Sequence, residues 1–219
     1  MIFDYFDGAY FINLSERKDR REAFERRSTE AGFTAERFSA ICPPPVPASK
    51  TTDAREHYKI GCAMSHRGCI ALAQERNQQR VLIFEDDCVF VPNFSTEFPK
   101  YVEELKTVEE WDVCFLGGSP EPDYANLGAV CQQIAPNLYF NPGAVWGAHA
   151  YAINARFYAK MLNQSTFPQD IAFISFKPRT YLMTAELLTW QDEESVSDLW
   201  GGTWARKEEY LKNYRKCIR

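Results

Sequence analysis

Val81-Leu82-Ile83-Phe84-Glu85-Asp86-Asp87 sets four apolar residues directly before three acids. A compact apolar run bounded by polar residues reads as a strand buried on both faces. Ligands of open α/β sheets bind beyond the carboxyl ends of the strands, which is where this triplet emerges. Carboxylates clustered at a rigid strand end make a hard-oxygen site for Mn²⁺ or Mg²⁺. An arbitrary run of three acids is most often a solvated turn, and the apolar strand ahead of it is what argues for a site.

Working outward, the chain alternates helix and strand patterns. Before the triplet, Ile60, Met64, Ala71 and Leu72 keep helical spacing through about 60–78. After it comes a polar helix over 95–107, then a buried strand over 111–116 ended by Gly117-Gly118. Near the start, 10–14 reads as a first strand. A charged helix follows, with Asp19 and Glu22 placed as N-cap and N3 of a capping box and Gly32 closing it. Cys42-Pro-Pro-Pro-Val-Pro and the polar run to Asp53 cannot join a helix or central strand and read as a surface loop. Later, 145–153 reads as one strand, 155–162 as a helix, and 180–183 and 187–190 as short strands. This alternation predicts an α/β fold.

The 219 residues are read as a single domain over 1–219, with no repeat or linker to divide them. A 45% hydrophobic and 15% aromatic content suits a folded enzyme. The net charge of -5 gives no general attraction to nucleic acid. A basic C-terminal helix is expected over about 203–219, where Arg206, Lys207, Lys212, Arg215, Lys216 and Arg219 outnumber Glu208 and Glu209. It reads as a solvated face, with peripheral contact to a membrane surface as the other reading. The start, MIFDYFDGAYFINL, carries neither a basic leader nor an apolar span, so the sequence points to the cytoplasm. Three Asn-X-Ser matches therefore receive no weight, and seven scattered cysteines read as reduced thiols.

Two signalling and hydrolytic patterns share the triplet. A receiver domain also ends a strand in Glu-Asp-Asp, and Phe176-Lys177-Pro178 fits its later Lys-Pro. It needs an accepting Asp at the end of the next central strand, where this chain has Phe115-Leu116-Gly117-Gly118. A haloacid-type phosphatase needs a nucleophilic Asp at the first acid, where this chain has Glu85.

Three segments in order resemble glycosyltransferase family 25, the family of lipopolysaccharide and collagen galactosyltransferases. Phe11-Ile-Asn-Leu-Ser-Glu-Arg-Lys-Asp-Arg is similar to its opening strand-turn-helix, Ile60-Gly-Cys-Ala-Met-Ser-His to its second motif, and Leu82-Ile-Phe-Glu-Asp-Asp to its metal motif. Gly147-Ala-His-Ala-Tyr-Ala-Ile and Trp190-Gln191 with Ser195 and Ser197 resemble later features, so the likeness spans about 10–200. Lys59 stands where family patterns commonly carry an acid, and Ser15 where Asp is frequent. The resemblance implies a GT-A-type nucleotide-sugar transferase fold, a mostly parallel central sheet flanked by helices, with a UDP-sugar as donor.

Asn13, Arg17 and Arg20 lie where the first strand hands over to a helix, a place where amide and guanidinium groups meet a nucleotide or its phosphates. The resemblance, rather than the local pattern, favours that role over a surface turn. Ser65 and His66 are expected to face the same crevice from the second helix. Cys62, His66 and Cys69 suggest zinc, but one helix does not aim all three together and a fourth ligand is missing. Displacement at an anomeric carbon needs a base for the acceptor hydroxyl. Asp170 is the candidate, with a plain helix N-cap as its equal rival; Asp112, Asp123 and Asp192 are weaker ones. His149 lines the acceptor cleft or serves its strand, and Gln191 reaches the metal or phosphates.

The resulting expectation is an inverting, metal-dependent transfer of galactose or glucose from a UDP-sugar to the hydroxyl of a glycan, a glycolipid or a hydroxylysine-type acceptor. Glu85 and Asp87 hold Mn²⁺ or Mg²⁺ and Asp86 supports the donor. The alternative is a non-catalytic nucleotide-sugar-binding or receiver-like module.

Overall fold

A computed structural model describes residues 4–42, 45, 56–122, 130–163, 169–176, 180–183, 187–195 and 207–217. Most of the proline loop after Cys42 lies outside these residues, as do Asp123 and Ser197.

The chain opens with β1 (Gly8–Asn13), α1 (Lys18–Glu30) and β2 (Glu36–Ser39), then α2 (Glu56–Glu75), β3 (Arg80–Glu85), β4 (Cys88–Phe90) and α3 (Phe94–Lys106). Short strands follow: β5 (Val113–Phe115), β6 (Ser119–Glu121), β7 (Gln132–Ala135), β8 (Leu138–Asn141), β9 (Ala144–Trp146) and β10 (Ala150–Asn154). The remaining elements are α4 (Ala155–Leu162), α5 (Gln169–Phe176), β11 (Thr180–Met183), β12 (Thr189–Gln191) and α6 (Lys207–Cys217).

Eight strands form one sheet in the order β2-β1-β3-β10-β5-β11-β8-β7. The parallel pairs β1/β2, β1/β3 and β5/β11 and the antiparallel pairs around β10 and β8 leave only those two strands reversed. The sheet is thus mostly parallel in direction, with one antiparallel strand inserted at its centre. Two two-stranded sheets, β12/β4 and β6/β9, sit beside it.

Alternation along β3 divides the core. Leu82 and Phe84 pack on one face with Phe11, Phe24, Phe33, Phe94 and Phe98. Val81 and Ile83 pack on the other with Tyr10, Ile70, Phe115, Tyr151 and Phe173. Successive side chains of a strand point to opposite faces, so one apolar run supplies both layers. Each such aromatic or aliphatic side chain contributes about 1.5–3 kcal/mol by leaving water.

Several local expectations change. Asp19 is not the N-cap: Arg17 occupies that position without a side-chain cap, and Asp19 sits in the first turn. The end of α1 is as expected, with Gly32 N–H bonding to Thr29 O and Phe33 N–H to Ser28 O after Ala31. The segment read as a polar helix buries Phe94, Phe98, Tyr101, Val102 and Leu105, which recur at helical spacing on one face. The single strand expected over 145–153 is two, β9 and β10, because Gly147 takes φ +87° and turns the chain between them. The basic C-terminal helix is solvated on one side only: Tyr210, Tyr214 and Cys217 are buried, with Tyr210 and Tyr214 packed with Leu187.

Candidate active site

The acids of the triplet separate by strand parity. Glu85 ends β3 on the α2 face, where its Oε1 lies 3.3 Å from His66 Nε2. Asp86 turns to the α1 face. Its Oδ2 accepts from Asn13 Nδ2 at 2.7 Å and its Oδ1 pairs with Arg20 at 3.1 Å. Asp87, in the turn before β4, accepts from Gln191 Nε2 through Oδ2 at 3.3 Å.

Burial pushes Asp87 up to about 8, helped by the charges of Glu85 and Asp86 and opposed by Arg20 and the Gln191 amide. Burial raises Asp86 too, against Arg20 and Asn13. Asp87 Oδ1 is buried and has no hydrogen-bond partner among the described residues. A buried, orphaned carboxylate oxygen in a negative turn is the environment a hard divalent cation satisfies, so this turn fits such an ion.

A cleft of about 360 Å³ opens on the α1 side of the turn, lined by Arg17, Arg20, Arg27, Asp86, Asp87 and Asp192 among others. Three guanidinium groups, from the N-cap of α1 and from one side of that helix, line the cleft with the Asp86 and Asp87 carboxylates of the turn, an arrangement suited to a polyanion that arrives with a cation. The roof of the cleft is the β12 end: Gln191 pairs with Cys88, Asp192 N–H bonds to Asp87 O at 2.8 Å, and the Asp192 carboxylate pairs with Arg27. Burial works against the charge of Asp192, but hydrogen bonds from Arg27 and from Glu194 N–H keep it below its ordinary value.

The expected site residues thus meet at one end of β3, with differences in what they do. Arg17 and Arg20 line the cleft. Asn13 is 1% exposed and does not line it; it aims Asp86, and Arg37 Nε in turn holds Asn13 Oδ1 at 2.9 Å. Ser65 is also a structural residue. Its buried hydroxyl donates to Gly61 O and accepts from Ile41 N, which ties the segment just beyond β2 to α2. His66 is fully buried on the α2 side, with Nδ1 3.0 Å from the Tyr151 hydroxyl. Gln191 sits between Asp87 and the Tyr210 hydroxyl, which donates to its Oε1 at 3.0 Å.

Asp170 lies at the start of α5. Gly147 N–H is 3.4 Å from its Oδ2, and Ile171 N–H donates to its Oδ1 at 2.9 Å. Burial raises its carboxyl, those backbone donors oppose the rise, and the charge of Glu85 adds to it. The rival Asp112 is at the other end of the sheet: it immediately precedes β5 and lies beside Arg156, with Asn154 N–H on its carbonyl. Asp192 is held by Arg27. His149 is buried and serves its strand: its carbonyl accepts Glu85 N–H, its Nε2 meets Thr189 Oγ1 at 3.3 Å, and its ring stacks on Tyr210. Sequence reasoning did not find Arg27, Arg37, Tyr151 or Tyr210. Tyr151 lies in the Gly147-Ala-His-Ala-Tyr-Ala-Ile segment but reads there only as strand; Arg27, Arg37 and Tyr210 lie in no motif, and of these only Arg27, two helical turns beyond Arg20, carries a periodic signal.

A central, mostly parallel sheet with an acidic turn beyond a strand end and an arginine-lined cleft defines an α/β fold of the nucleotide-sugar transferase, GT-A type. A solved UDP-glucose pyrophosphorylase complexed with UDP-glucose shares this fold, with a TM-score of 0.51 at 7% identity over 94% of this chain and 96% of that one. The sequence model of glycosyltransferase family 25 (LPS biosynthesis protein) matches residues 6–173, and the chain belongs to that family. A "Glycosyltransferase 25 family member" of Drosophila melanogaster is 25% identical over 127 residues, 51% of this chain and 21% of the relative. Procollagen galactosyltransferase 1-A of Xenopus laevis is 24% identical over 197 residues, 80% of this chain and 31% of the relative. The chain therefore spans about a fifth to a third of the length of these relatives. No described helix is long and apolar enough to cross a membrane.

Proposed function

We propose that this chain transfers a hexose, galactose or glucose, from a UDP-sugar to a hydroxyl of a glycan, glycolipid or hydroxylysine-type acceptor, with inversion. The observation that carries this reading is the pairing of the acidic turn with Arg17, Arg20 and Arg27 across one cleft. Family membership and the galactosyltransferase names of its relatives support the transfer and the sugar.

Arg17 and Arg20 bind the diphosphate, and Arg27 with Asp192 closes the cleft over it. Glu85 and Asp87 would hold Mn²⁺ or Mg²⁺, and Asp86 is fixed beside them by Asn13 and Arg20. Bound there, such an ion would supply positive charge to offset that of a leaving diphosphate. Asp170 takes the proton of the acceptor hydroxyl. The burial that raises its carboxyl brings its basicity nearer to what a general base needs at neutral pH.

Calorimetric titration with UDP, UDP-galactose and UDP-glucose, with Mn²⁺ and with chelator, tests the reading. Metal-dependent binding that Asp87→Ala removes supports it, and the tighter sugar nucleotide names the donor. Absence of UDP binding under every condition overturns it. Binding with neither donor hydrolysis nor transfer to any acceptor class leaves a nucleotide-sugar-binding module.

A further inference from the structure

The α2 face of the acidic turn carries a second set of metal-ligating groups. Cys62 and His66 stand four residues apart on α2, one above the other on the same side of the helix. The strand end brings Glu85 to them, so that Cys62 Sγ, a ring nitrogen of His66 and a Glu85 oxygen all lie within 4.8 Å of one another. Cys69, which the sequence offered as the third member, is instead fully buried in the core beside Ile70.

We propose that Cys62, His66 and Glu85 form a transition-metal site of Zn²⁺ type, which shares Glu85 with the proposed hard-oxygen site but does not include Asp87. The His66 Nε2 to Glu85 Oε1 separation is 3.3 Å. Ligands about 2.0–2.1 Å from a shared tetrahedral ion stand about this far apart. The other ring nitrogen of His66 is held by the buried Tyr151 hydroxyl at 3.0 Å. Metal-binding histidines are oriented in this way by a partner on the second nitrogen, which fixes the ring with the first facing the ion. Burial first, and then the negative charges of Glu85, Asp170, Asp87 and Asp86, push the Cys62 thiol up, so it keeps its proton until a cation binds in its place, and the same negative charges attract that cation.

The ligand set decides the ion. A thiolate and an imidazole favour Zn²⁺ or Co²⁺ over Mg²⁺ and Mn²⁺, which prefer carboxylate and water. The Glu85 side chain is 21% exposed, so solvent reaches the cluster at Glu85. Occupied, the site ties α2 to the end of β3 and holds one Glu85 oxygen on the α2 face. Asp87, whose carboxylate bonds to Gln191 on the β12 side, takes no part.

Co²⁺ titration of the whole chain tests this, with near-ultraviolet thiolate-to-cobalt absorption as the readout, on wild type, Cys62→Ser and Asp87→Asn. The expected result is one equivalent with that absorption in wild type and in Asp87→Asn, competed away by Zn²⁺ and lost in Cys62→Ser. No thiolate band, or a band that survives in Cys62→Ser, overturns the proposal; a band lost in Asp87→Asn overturns its independence from the donor site. Should Cys62→Ser not fold, alkylation of wild type answers the same question. Zn²⁺ must slow labelling of Cys62 and leave the exposed Cys42 unchanged; equal labelling of Cys62 with and without Zn²⁺ overturns the site. Neither readout involves UDP, so failure here is separable from failure of the transferase reading.

Discussion

Gln191 donates its side-chain amide to Asp87 across 3.3 Å, and the Tyr210 hydroxyl fixes that amide from the other end at 3.0 Å. A residue of the last described helix therefore governs the orientation of Asp87, the acid of the turn whose other carboxylate oxygen has no hydrogen-bond partner among the described residues. Tyr210→Phe keeps the ring packed with Leu187 and on His149 and removes only the hydroxyl. The stability cost expected is about 0.5–1.5 kcal/mol, a single hydrogen bond. Mn²⁺-dependent UDP binding is expected to weaken several-fold with metal-free binding unchanged, which calorimetry reads directly. Equal loss in both conditions places the effect outside the turn.

Asn13 is a second positioning residue, and its role differs from that of a ligand contact. Asn13→Ala leaves Asp86 Oδ2, in a buried carboxylate, without its amide donor. Removing one partner of such a bond costs about 1–3 kcal/mol. Urea unfolding is expected to show that loss in wild-type against variant comparison. A variant as stable as wild type that has lost UDP binding restores the direct donor contact expected from the sequence.

The Arg27–Asp192 pair holds the roof of the cleft and gives a pH signature. The carboxyl of Asp192 is lower in the folded chain than in the unfolded one. Its contribution is therefore fully present above the unfolded carboxylate value and is lost as pH falls through the folded one. Asp192→Asn is expected to be less stable than wild type by about 1 kcal/mol or less at neutral pH, the scale of a partly screened pair. The gap closes on acidification below the ordinary Asp range. Thermal melts over a pH series check this, and a gap independent of pH assigns the effect to packing.

Asp170→Asn separates chemistry from structure. As the base it is expected to lower kcat by about 10²–10⁴-fold with UDP affinity unchanged. As a helix-start residue alone it leaves kcat intact and moves the melting temperature little, since Asn can still accept from Ile171 N–H.

Gly117 is where β5 runs on against Thr189, and a methyl group there would stand 2.4 Å from the Thr189 carbonyl oxygen and 2.6 Å from His149 Nε2. Backbone is the obstacle, so Gly117→Ala must displace the β12 end that carries Gln191 and Asp192. The expected outcome is a loss of about 1–3 kcal/mol, as for overpacking, together with weaker UDP binding. Unchanged binding in the variant shows that the roof tolerates the shift.

Short-range patterns in the sequence determined the strand ending in three acids, the helix over 155–162, the α/β alternation and the gathering of several candidate site residues at one end of β3. Each follows from apolar periodicity or turn chemistry within a few residues. What only the tertiary structure decided is the division of labour. Strand parity sends Glu85 to His66 and Asp86 to Arg20. The fold brings Gln191 and Tyr210 back onto Asp87 from more than a hundred residues away. Burial turns Asn13 and Ser65 from ligand contacts into supports. It also exchanges Cys69 for Glu85 beside Cys62 and His66. Such pairings depend on which strands neighbour each other and which face a helix turns inward, and the central reversal at Gly147 that sets them is one φ angle with no periodic signal.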